Sequence, residues 1–237
     1  MAAAPEEPDR FALTPAGLAA LAVERRYRVL FVTLLAVLVV QASSVYHGAG
    51  LFISDTVITI GMIAVFLVVF ARERVQRIFT LVAGLATLAA QWGHHVLGPS
   101  LHRELTLAYH ALIIVFLSTA VWVILRDLFV RRGSGYSHIF GAMSGYMIVA
   151  GAFANAHILA YMLAPASMSV APELEKHLAD RHSMAATFLY YSFTQLLTIG
   201  YSDITALAAP ATTLSLLEAL FGVFYLAVIV SQLMEKR

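Results

Sequence analysis

Six long apolar runs constrain the fold of this chain more than any other feature of its sequence. They occupy residues 29–46, 51–71, 78–97, 105–125, 138–163 and 212–234. Each run has roughly the 20 residues that an α-helix needs to cross the apolar core of a bilayer, which is about 30 Å thick. Backbone groups inside that core must find hydrogen-bond partners within the protein, and a helix provides them. The sequence therefore predicts an all-α membrane protein with six transmembrane helices.

The composition excludes a soluble globular protein and several classes of site. Hydrophobic residues make up 60% of the chain and charged residues 12%, against about 25% charged in soluble domains. The chain has no cysteine, which excludes disulfides and thiolate metal sites. A net charge of +1 without a long basic run gives no indication of nucleic-acid binding. The sequence also lacks a His-Glu-x-x-His motif and a Gly-rich phosphate-binding loop, so we do not expect an enzyme.

The distribution of basic residues predicts how the helices are oriented. Of the 15 Lys and Arg residues, only Arg103, Lys176 and Arg181 fall outside the cell if the N-terminus lies inside. This bias follows the positive-inside rule. We therefore expect a multi-pass protein of the plasma or inner membrane, in contact with membrane lipid, with both termini in the cytoplasm.

A shorter apolar run stands between the fifth and sixth spans. Residues 184–197 are too few to cross a bilayer, and the polar loop 198–203 follows them directly. Irregular backbone at membrane depth is tolerated only where it is buried in protein or lines water. Such a loop can coordinate ions, because main-chain carbonyls repeated around a symmetry axis can replace the hydration shell of a cation. We therefore predict a re-entrant pore helix followed by an ion-coordinating loop.

The loop resembles a known motif. The stretch Thr198-Ile199-Gly200-Tyr201-Ser202-Asp203 fits the Thr-Val-Gly-Tyr-Gly-Asp selectivity filter of the potassium channel family at five of six positions, with Ile taken as equivalent to Val. The helices on either side occur in the order found in that family. The resemblance covers about the last hundred residues of the chain. It points to the pore-loop (ion channel 2-type) prokaryotic potassium channels with six membrane spans.

This resemblance implies a passive potassium channel that assembles as a homotetramer, because one loop per chain closes the carbonyl rings only when it is repeated fourfold. It implies K⁺ ions in the filter and no other cofactor. Asp203 would stand at the pore mouth, where four copies concentrate cations. The ion-binding residues implied by the motif are Thr198, Ile199, Gly200, Tyr201 and Ser202.

The chain accordingly divides into three parts. Residues 1–28 are expected to form a cytoplasmic N-terminal segment, residues 29–133 a peripheral four-helix membrane module, and residues 134–237 the pore domain with outer helix, pore helix, filter and inner helix. A voltage sensor needs several Arg or Lys residues within its fourth span. The run 105–125 contains neither. We therefore expect a peripheral module that lacks gating charges.

Ser202 departs from the family pattern, which has Gly at this position. Glycine accepts a positive φ without penalty, whereas a left-handed Ser costs roughly 1–2 kcal/mol. This difference leaves two interpretations open. Either the tetramer tolerates the strain, or the outermost carbonyl ring is reshaped and the pore becomes weakly selective or prone to inactivation.

Residues outside the filter are expected to support it. Glu218 lies about two turns into the last span, where an ionisable side chain is costly and indicates a functional site by default. It could brace the pore helix from behind, in a protonated form, or serve only as a structural hydrogen-bonding group. Tyr191 and Gln195 on the pore helix are expected to pack behind the filter. Gly222 is interpreted either as a gating hinge or as a position of close helix packing.

Histidines on the predicted outer side supply the main alternative from another class. His94, His95 and His102 are weak candidate metal ligands, and together with His110 they would make the chain a histidine-based membrane metalloprotein. Because histidine titrates near neutral pH, the outer histidines could instead sense extracellular protons. The simplest interpretation is that they lie at the interface without a ligand. A non-conducting regulatory subunit is a third possible function. Separately, Asp55 is expected to cap the second helix.

Overall fold

The computed structural model describes residues 15–47, 51–69, 74–96, 102–130 and 136–235. Within these ranges the chain is almost entirely helical. Residues 1–14 of the predicted N-terminal segment lie outside the described part, and residues 15–28 form the beginning of the first helix. The helices are α1 (Pro15–His47), α2 (Leu51–Val69), α3 (Arg74–Val96), α4 (His102–Val130), α5 (Tyr136–Leu163), α6 (Pro172–Glu175), α7 (Arg181–Leu196) and α8 (Ala209–Glu235).

Four of these helices are long and apolar enough to cross a membrane, which confirms a membrane protein. Their apolar segments are Arg25–Ser43, His102–Phe129, Ile139–Leu163 and Ala209–Ile229. The apolar part of α2, Phe52–Val68, is shorter. Helix α3 is less apolar, because it turns polar residues towards the protein, among them the buried Thr80, Thr87 and Gln91.

Helices α1 to α5 share one apolar core. Leu30 of α1, Phe116 and Ile124 of α4 and Ile148 of α5 are almost completely buried within it. Helix α4 lies between α3 and α5 and makes extensive contacts with both. Helix α1 packs on α5 and also on α7, so the four-helix part of the chain touches the short helix that precedes the filter-like loop.

A small antiparallel sheet joins the segment between α5 and α7 to the segment between α7 and α8. Strand β1 (Met168–Val170) pairs with β2 (Ile204–Ala206), with Val170 opposite Ile204. Two 3₁₀ turns, Pro165–Ser167 and Lys176–Ala179, complete this region. Sequence periodicity does not predict strands of three residues, so this sheet is an addition to the all-α expectation. The sheet joins the segment that follows α5 to the residues just after the loop 198–203.

Candidate ion-coordinating loop and its supports

The short helix α7 is stopped at both ends by capping interactions. At its start the Asp180 carboxylate accepts hydrogen bonds from the Ser183 N–H at 3.0 Å and from the Ser183 hydroxyl at 3.1 Å. At its end the N–H of Thr198 bonds the Gln195 carbonyl at 2.9 Å, and the N–H of Ile199 bonds the Thr194 carbonyl at 2.8 Å. This pair of bonds is the Schellman pattern, whose left-handed residue is usually Gly. Here Thr198 takes that position, so the loop begins directly at the helix end.

The backbone of the loop alternates in hand. Thr198, Gly200 and Ser202 have φ values of 54°, 59° and 66°, whereas Ile199 and Tyr201 do not have positive φ. In an ordinary strand successive carbonyls point to opposite sides. When every second residue is left-handed, successive peptide planes turn the same way and their carbonyls share a side. The loop therefore has the backbone pattern required to present a row of carbonyl oxygens.

Two of the three left-handed residues are not glycine. Thr is β-branched, and a positive φ at such a residue is a genuine outlier. Ser202 has a positive φ of 66°, a conformation that costs a residue other than Gly roughly 1–2 kcal/mol. Backbone strain of this kind accumulates at functional sites. The strain lies where the sequence predicts ion binding.

Asp203 is held at the end of the loop by the helix behind it. The Tyr190 hydroxyl donates to the Asp203 carboxylate at 2.7 Å, and the N–H of Ile204 donates to its other oxygen at 3.0 Å. Burial and the hydrogen bond to this carboxylate raise the pKa of Tyr190 to about 12, so the hydroxyl keeps its proton at neutral pH. The ring of Tyr201 lies nearly parallel to that of Tyr190, with centroids 6.3 Å apart.

The small sheet fixes the other side of the loop. The N–H of Ala171, just after β1, donates to the Asp203 carbonyl at 2.8 Å. Further on, the Ser167 carbonyl accepts from the N–H groups of Leu207 and Ala208 at 2.8 and 3.1 Å. The residues that follow the loop are therefore tied to the segment that leaves α5.

Glu218 is the centre of a fully buried polar cluster that joins three helices. One carboxylate oxygen lies 2.7 Å from Nε2 of His157 on α5, and the other is hydrogen-bonded to the Ser192 hydroxyl on α7. The Ser192 hydroxyl is also 2.8 Å from the Ala150 carbonyl of α5. The side chains of Glu218 and His157 have no exposed surface. The structure thus places Glu218 behind α7, as the bracing interpretation requires.

The other expected supports lie on the same side of α7. Tyr191 is buried, and its hydroxyl lies 2.9 Å from that of Ser215 on α8. Its ring meets the His157 ring edge-on, with centroids 4.9 Å apart. Gln195 is half-buried and contributes its backbone carbonyl to the cap of α7. From α5, the Tyr146 hydroxyl donates to the Leu196 carbonyl at 3.0 Å.

Gly222 lies where α8 crosses the end of α7. A Cβ atom at this position would lie 2.3 Å from the Leu196 carbonyl oxygen and 3.0 Å from the Leu196 carbonyl carbon. No side chain fits there without moving the backbone. This contact gives Gly222 the packing role that the sequence left open, and the hinge role stays a prediction.

The candidate histidines have separate environments. His95 Nε2 lies 2.9 Å from an oxygen of Asp55, and His110 Nδ1 lies 2.7 Å from the Asn155 side-chain oxygen. His102 is exposed at the start of α4, and the side chain of His94 lies outside the described residues. Among the described side chains, no three of His, Cys, Asp and Glu are close enough together to hold a metal ion.

The expected role of Asp55 as a helix cap was wrong. Helix α2 begins four residues earlier, at Leu51, and Asp55 is buried inside the bundle. Its carboxylate accepts from the Gln91 amide at 3.1 Å and faces His95. A buried carboxylate needs partners, and residues of α3 supply them.

Sequence reasoning missed His157 of the Glu218 cluster, and it placed Ser192 behind the loop without connecting it to Glu218. His157 lies within the apolar run of α5 and Ser192 within α7. The rule that singles out Glu218, an ionisable residue inside an apolar run, applies equally to His157. Nothing in the sequence indicated that the two would meet, because 61 positions separate them.

Comparison with known proteins agrees with this geometry. The family model described as "Ion channel" matches residues 166–236, which include the small sheet, α7, the loop and α8. The match covers less than a third of the chain, and it identifies this part as an ion channel domain, which transports ions and is not an enzyme. Searches of curated proteins and of solved structures found no match.

Proposed function

We propose that this chain, which carries an ion channel domain at residues 166–236, is the subunit of a homotetrameric potassium channel. K⁺ would pass by diffusion through rings of carbonyl oxygens from residues 198–202, with Asp203 at the outer mouth. The observation that carries the proposal is the alternation of left-handed residues at Thr198, Gly200 and Ser202 directly after the cap of α7. That alternation lets every residue of the loop offer its carbonyl to the same side.

The exposure of the loop in a single chain supports the fourfold assembly. Ile199 and Tyr201 are 47% and 64% exposed, and no cation can be enclosed by one copy of such a loop. Large apolar side chains of α8 are exposed as well, including Leu216 and Phe224 at 61% and 63%. Contact with neighbouring copies and with lipid would cover these surfaces.

The proposed membrane topology has six spans and both termini in the cytoplasm. Helix α2, with 19 residues, is about 28 Å long at 1.5 Å per residue, which is close to the thickness of the bilayer core. Helix α3 has 23 residues and presents apolar side chains outward, such as Phe79, Val82 and Leu85. Both helices can therefore span despite their shorter or less apolar runs.

The four-helix module is proposed to act on the pore without sensing voltage. The apolar run of α4 carries no Arg or Lys between positions 105 and 125, so the module lacks the permanent charges that would move in an electric field. Its route to the pore would be α1, which packs against α5 and α7.

Ion flux into liposomes tests the proposal. The purified protein, reconstituted with K⁺ and Na⁺ gradients, should give a reversal potential that follows K⁺. Gly200→Ala and Tyr201→Ala should abolish this flux, whereas His95→Ala and His102→Ala should preserve it. Flux that follows the histidine changes and ignores Gly200 and Tyr201 would overturn the channel assignment in favour of a histidine-based site.

A second candidate, a weakly selective cation channel, is favoured by one contact. The Ser202 hydroxyl points towards the Gly200 carbonyl oxygen at 3.5 Å, a distance at the long limit for a hydrogen bond. A hydroxyl in that place competes with a permeant ion for one of the filter oxygens. If Na⁺ and K⁺ gradients give similar reversal potentials in the native chain and Ser202→Gly restores the preference for K⁺, the second candidate is correct.

A further inference from the structure

If the Glu218 carboxyl is ionised, the single hydrogen of the Ser192 hydroxyl cannot satisfy both of the oxygens that it faces. The Ser192 hydroxyl lies within bonding distance of two acceptors, the Ala150 carbonyl and a Glu218 oxygen. A serine hydroxyl has one hydrogen to donate and can also accept. It satisfies both contacts when it donates to Ala150 and accepts a hydrogen from Glu218. That arrangement requires a proton on the carboxyl group.

The histidine at the other end of the cluster indicates its own protonation state. Nε2 of His157 faces the second Glu218 oxygen at 2.7 Å. Its Nδ1 is buried and has no hydrogen-bond partner among the described residues. A hydrogen on Nδ1 would be a buried donor without an acceptor, which costs about 1–3 kcal/mol. The neutral ring with its hydrogen on Nε2 avoids this cost and donates to Glu218.

The alternative, an ion pair between a charged His157 and an ionised Glu218, fits less well. It would put a hydrogen on Nδ1 of His157, where no acceptor is present among the described residues. It would also leave Ser192 able to donate to only one of its two acceptors. It would also bury two charges whose side chains have no exposed surface. The desolvation of such a pair often exceeds the Coulombic gain. In the neutral arrangement every donor of the cluster has an acceptor.

We infer that Glu218 is a protonated carboxylic acid in a one-directional hydrogen-bond chain, His157 Nε2–H to Glu218, Glu218 O–H to Ser192 Oγ, and Ser192 O–H to the Ala150 carbonyl. This chain ties the outer helix α5, the pore helix α7 and the inner helix α8 together behind the loop. His157 is thereby a positioning residue, because it orients the carboxyl whose proton holds Ser192.

The consequence for conduction rests on the proposed channel function. Ser192 lies one turn before Leu196 and the cap at which the loop begins. Removal of the proton would turn Ser192 towards the carboxylate and away from α5, which would loosen α7 at its attachment. The titratable groups that face Glu218 are His157 and Tyr146 on α5 and Tyr191 on α7. Among the described residues, the side chains hydrogen-bonded to Glu218 are those of His157 and Ser192.

Infrared spectroscopy of the purified full-length protein tests the protonation directly and does not depend on conduction. Protein labelled with ¹³C-glutamate should show, at neutral pH, a protonated-carboxyl C=O band that shifts with the label and in D₂O. Glu218→Gln should lose this band, and Asp55→Asn, at another buried acidic residue, should retain it. Absence of a Glu218 band at neutral pH would overturn the inference.

Thermal stability provides a second measurement. Gln can reproduce the donor and acceptor of a protonated Glu, so Glu218→Gln should unfold near the native temperature. His157→Leu should unfold at a lower temperature, because it leaves a Glu218 oxygen without its donor, whereas His157→Gln should recover part of that loss. Tyr191→Phe keeps the ring beside His157 and removes only the neighbouring hydrogen bond to Ser215 between α7 and α8, so it should keep the infrared band. A Glu218→Gln protein as unstable as His157→Leu would indicate an ion pair and refute the neutral chain.

Flux measurements on the same proteins separate the two proposals. If the infrared band is present and neither the native protein nor Glu218→Gln conducts, the channel function fails and the protonated cluster stands. If the native protein conducts and the band is absent, the cluster inference fails and the channel function stands.

Discussion

Replacement of Gly222 by Ala should destabilise the protein, although the same change inside most helices is stabilising. The added Cβ would lie 2.3 Å from the Leu196 carbonyl oxygen and 3.0 Å from both the carbonyl carbon and Cα of Leu196. Ordinary contact begins at 3.4 Å. Helix α8 would therefore have to move away from the end of α7 by about 1 Å. All three obstructing atoms belong to the backbone, so no side chain can rotate away.

The magnitude follows from two opposed effects. Overpacking a well-packed site costs typically 1–3 kcal/mol, and this clash with backbone belongs at the upper end. Displacement of Leu196 also strains the hydrogen bond that its carbonyl accepts from Tyr146, worth about 1 kcal/mol. Against these costs, Ala has a helix propensity about 1 kcal/mol better than Gly. We expect a net destabilisation of about 2–3 kcal/mol.

Thermal unfolding in detergent measures this change, with Gly151→Ala as the matched control. A Cβ at Gly151 would meet only the Leu117 side chain at 3.4 Å, an ordinary contact. The control should be neutral or slightly stabilising, whereas Gly222→Ala should lower the unfolding temperature by several degrees, at about 2–4 °C per kcal/mol for a chain of this size.

If Gly222→Ala is as stable as the control, the packing argument is wrong. A change in channel opening without loss of stability would then favour the hinge interpretation of Gly222.

Ser202→Gly should raise the unfolding temperature, because it relieves roughly 1–2 kcal/mol of left-handed strain; an unchanged or lower unfolding temperature would contradict the strain assignment. Tyr190→Phe should leave the Asp203 carboxylate without its 2.7 Å donor. Single-channel recording in planar bilayers should then show a reduced current. A current equal to that of the native protein would show that the bond does not position Asp203. Because the pKa of Tyr190 is raised to about 12, this bond stabilises the folded protein below pH 10 and is lost as the pH rises through about 12. Alkaline unfolding followed by circular dichroism should therefore show a step near that pH. The step should be missing in Tyr190→Phe. His95→Ala should remove one partner of the buried Asp55 carboxylate and so lower the unfolding temperature, while potassium selectivity stays the same. Loss of selectivity would instead show that His95 and Asp55 act on the pore.

Much of the fold could be predicted from the sequence because its determinants are local. The apolar runs placed α2, α3, α5 and α8 within about four residues of their observed bounds, whereas α1 begins well before its predicted run and α4 ends after it. The polar break after residue 197 located the loop. The mismatch of Ser202 with the family's Gly left two interpretations open, and the structure gives Ser202 a positive φ. Helix propensity, membrane hydropathy and backbone sterics all depend on residues that are close together in the chain, so they can be predicted from the sequence.

Contacts between distant residues could not be predicted in this way. The pairing of β1 with β2, the burial of Asp55 against Gln91, and the meeting of His157, Ser192 and Glu218 depend on how the helices pack. The sequence marked Glu218 as unusual without indicating its partners. Gly222 likewise had two possible roles, and its close approach to Leu196, which supports the packing role, could be seen only in the structure.

By itself, the sequence predicted a helical membrane protein with a short half-span and a polar loop that resembles an ion-channel filter. These properties follow from the apolar runs and from the residue types at positions 198–203, which are fixed along the chain. Only the tertiary structure decided how the loop is held: by the Schellman cap and Tyr146 at its start, by Tyr190 and the small sheet at its end, and by the buried Glu218 cluster behind it. Those interactions join residues far apart in the chain, and their geometry exists only after the helices have packed.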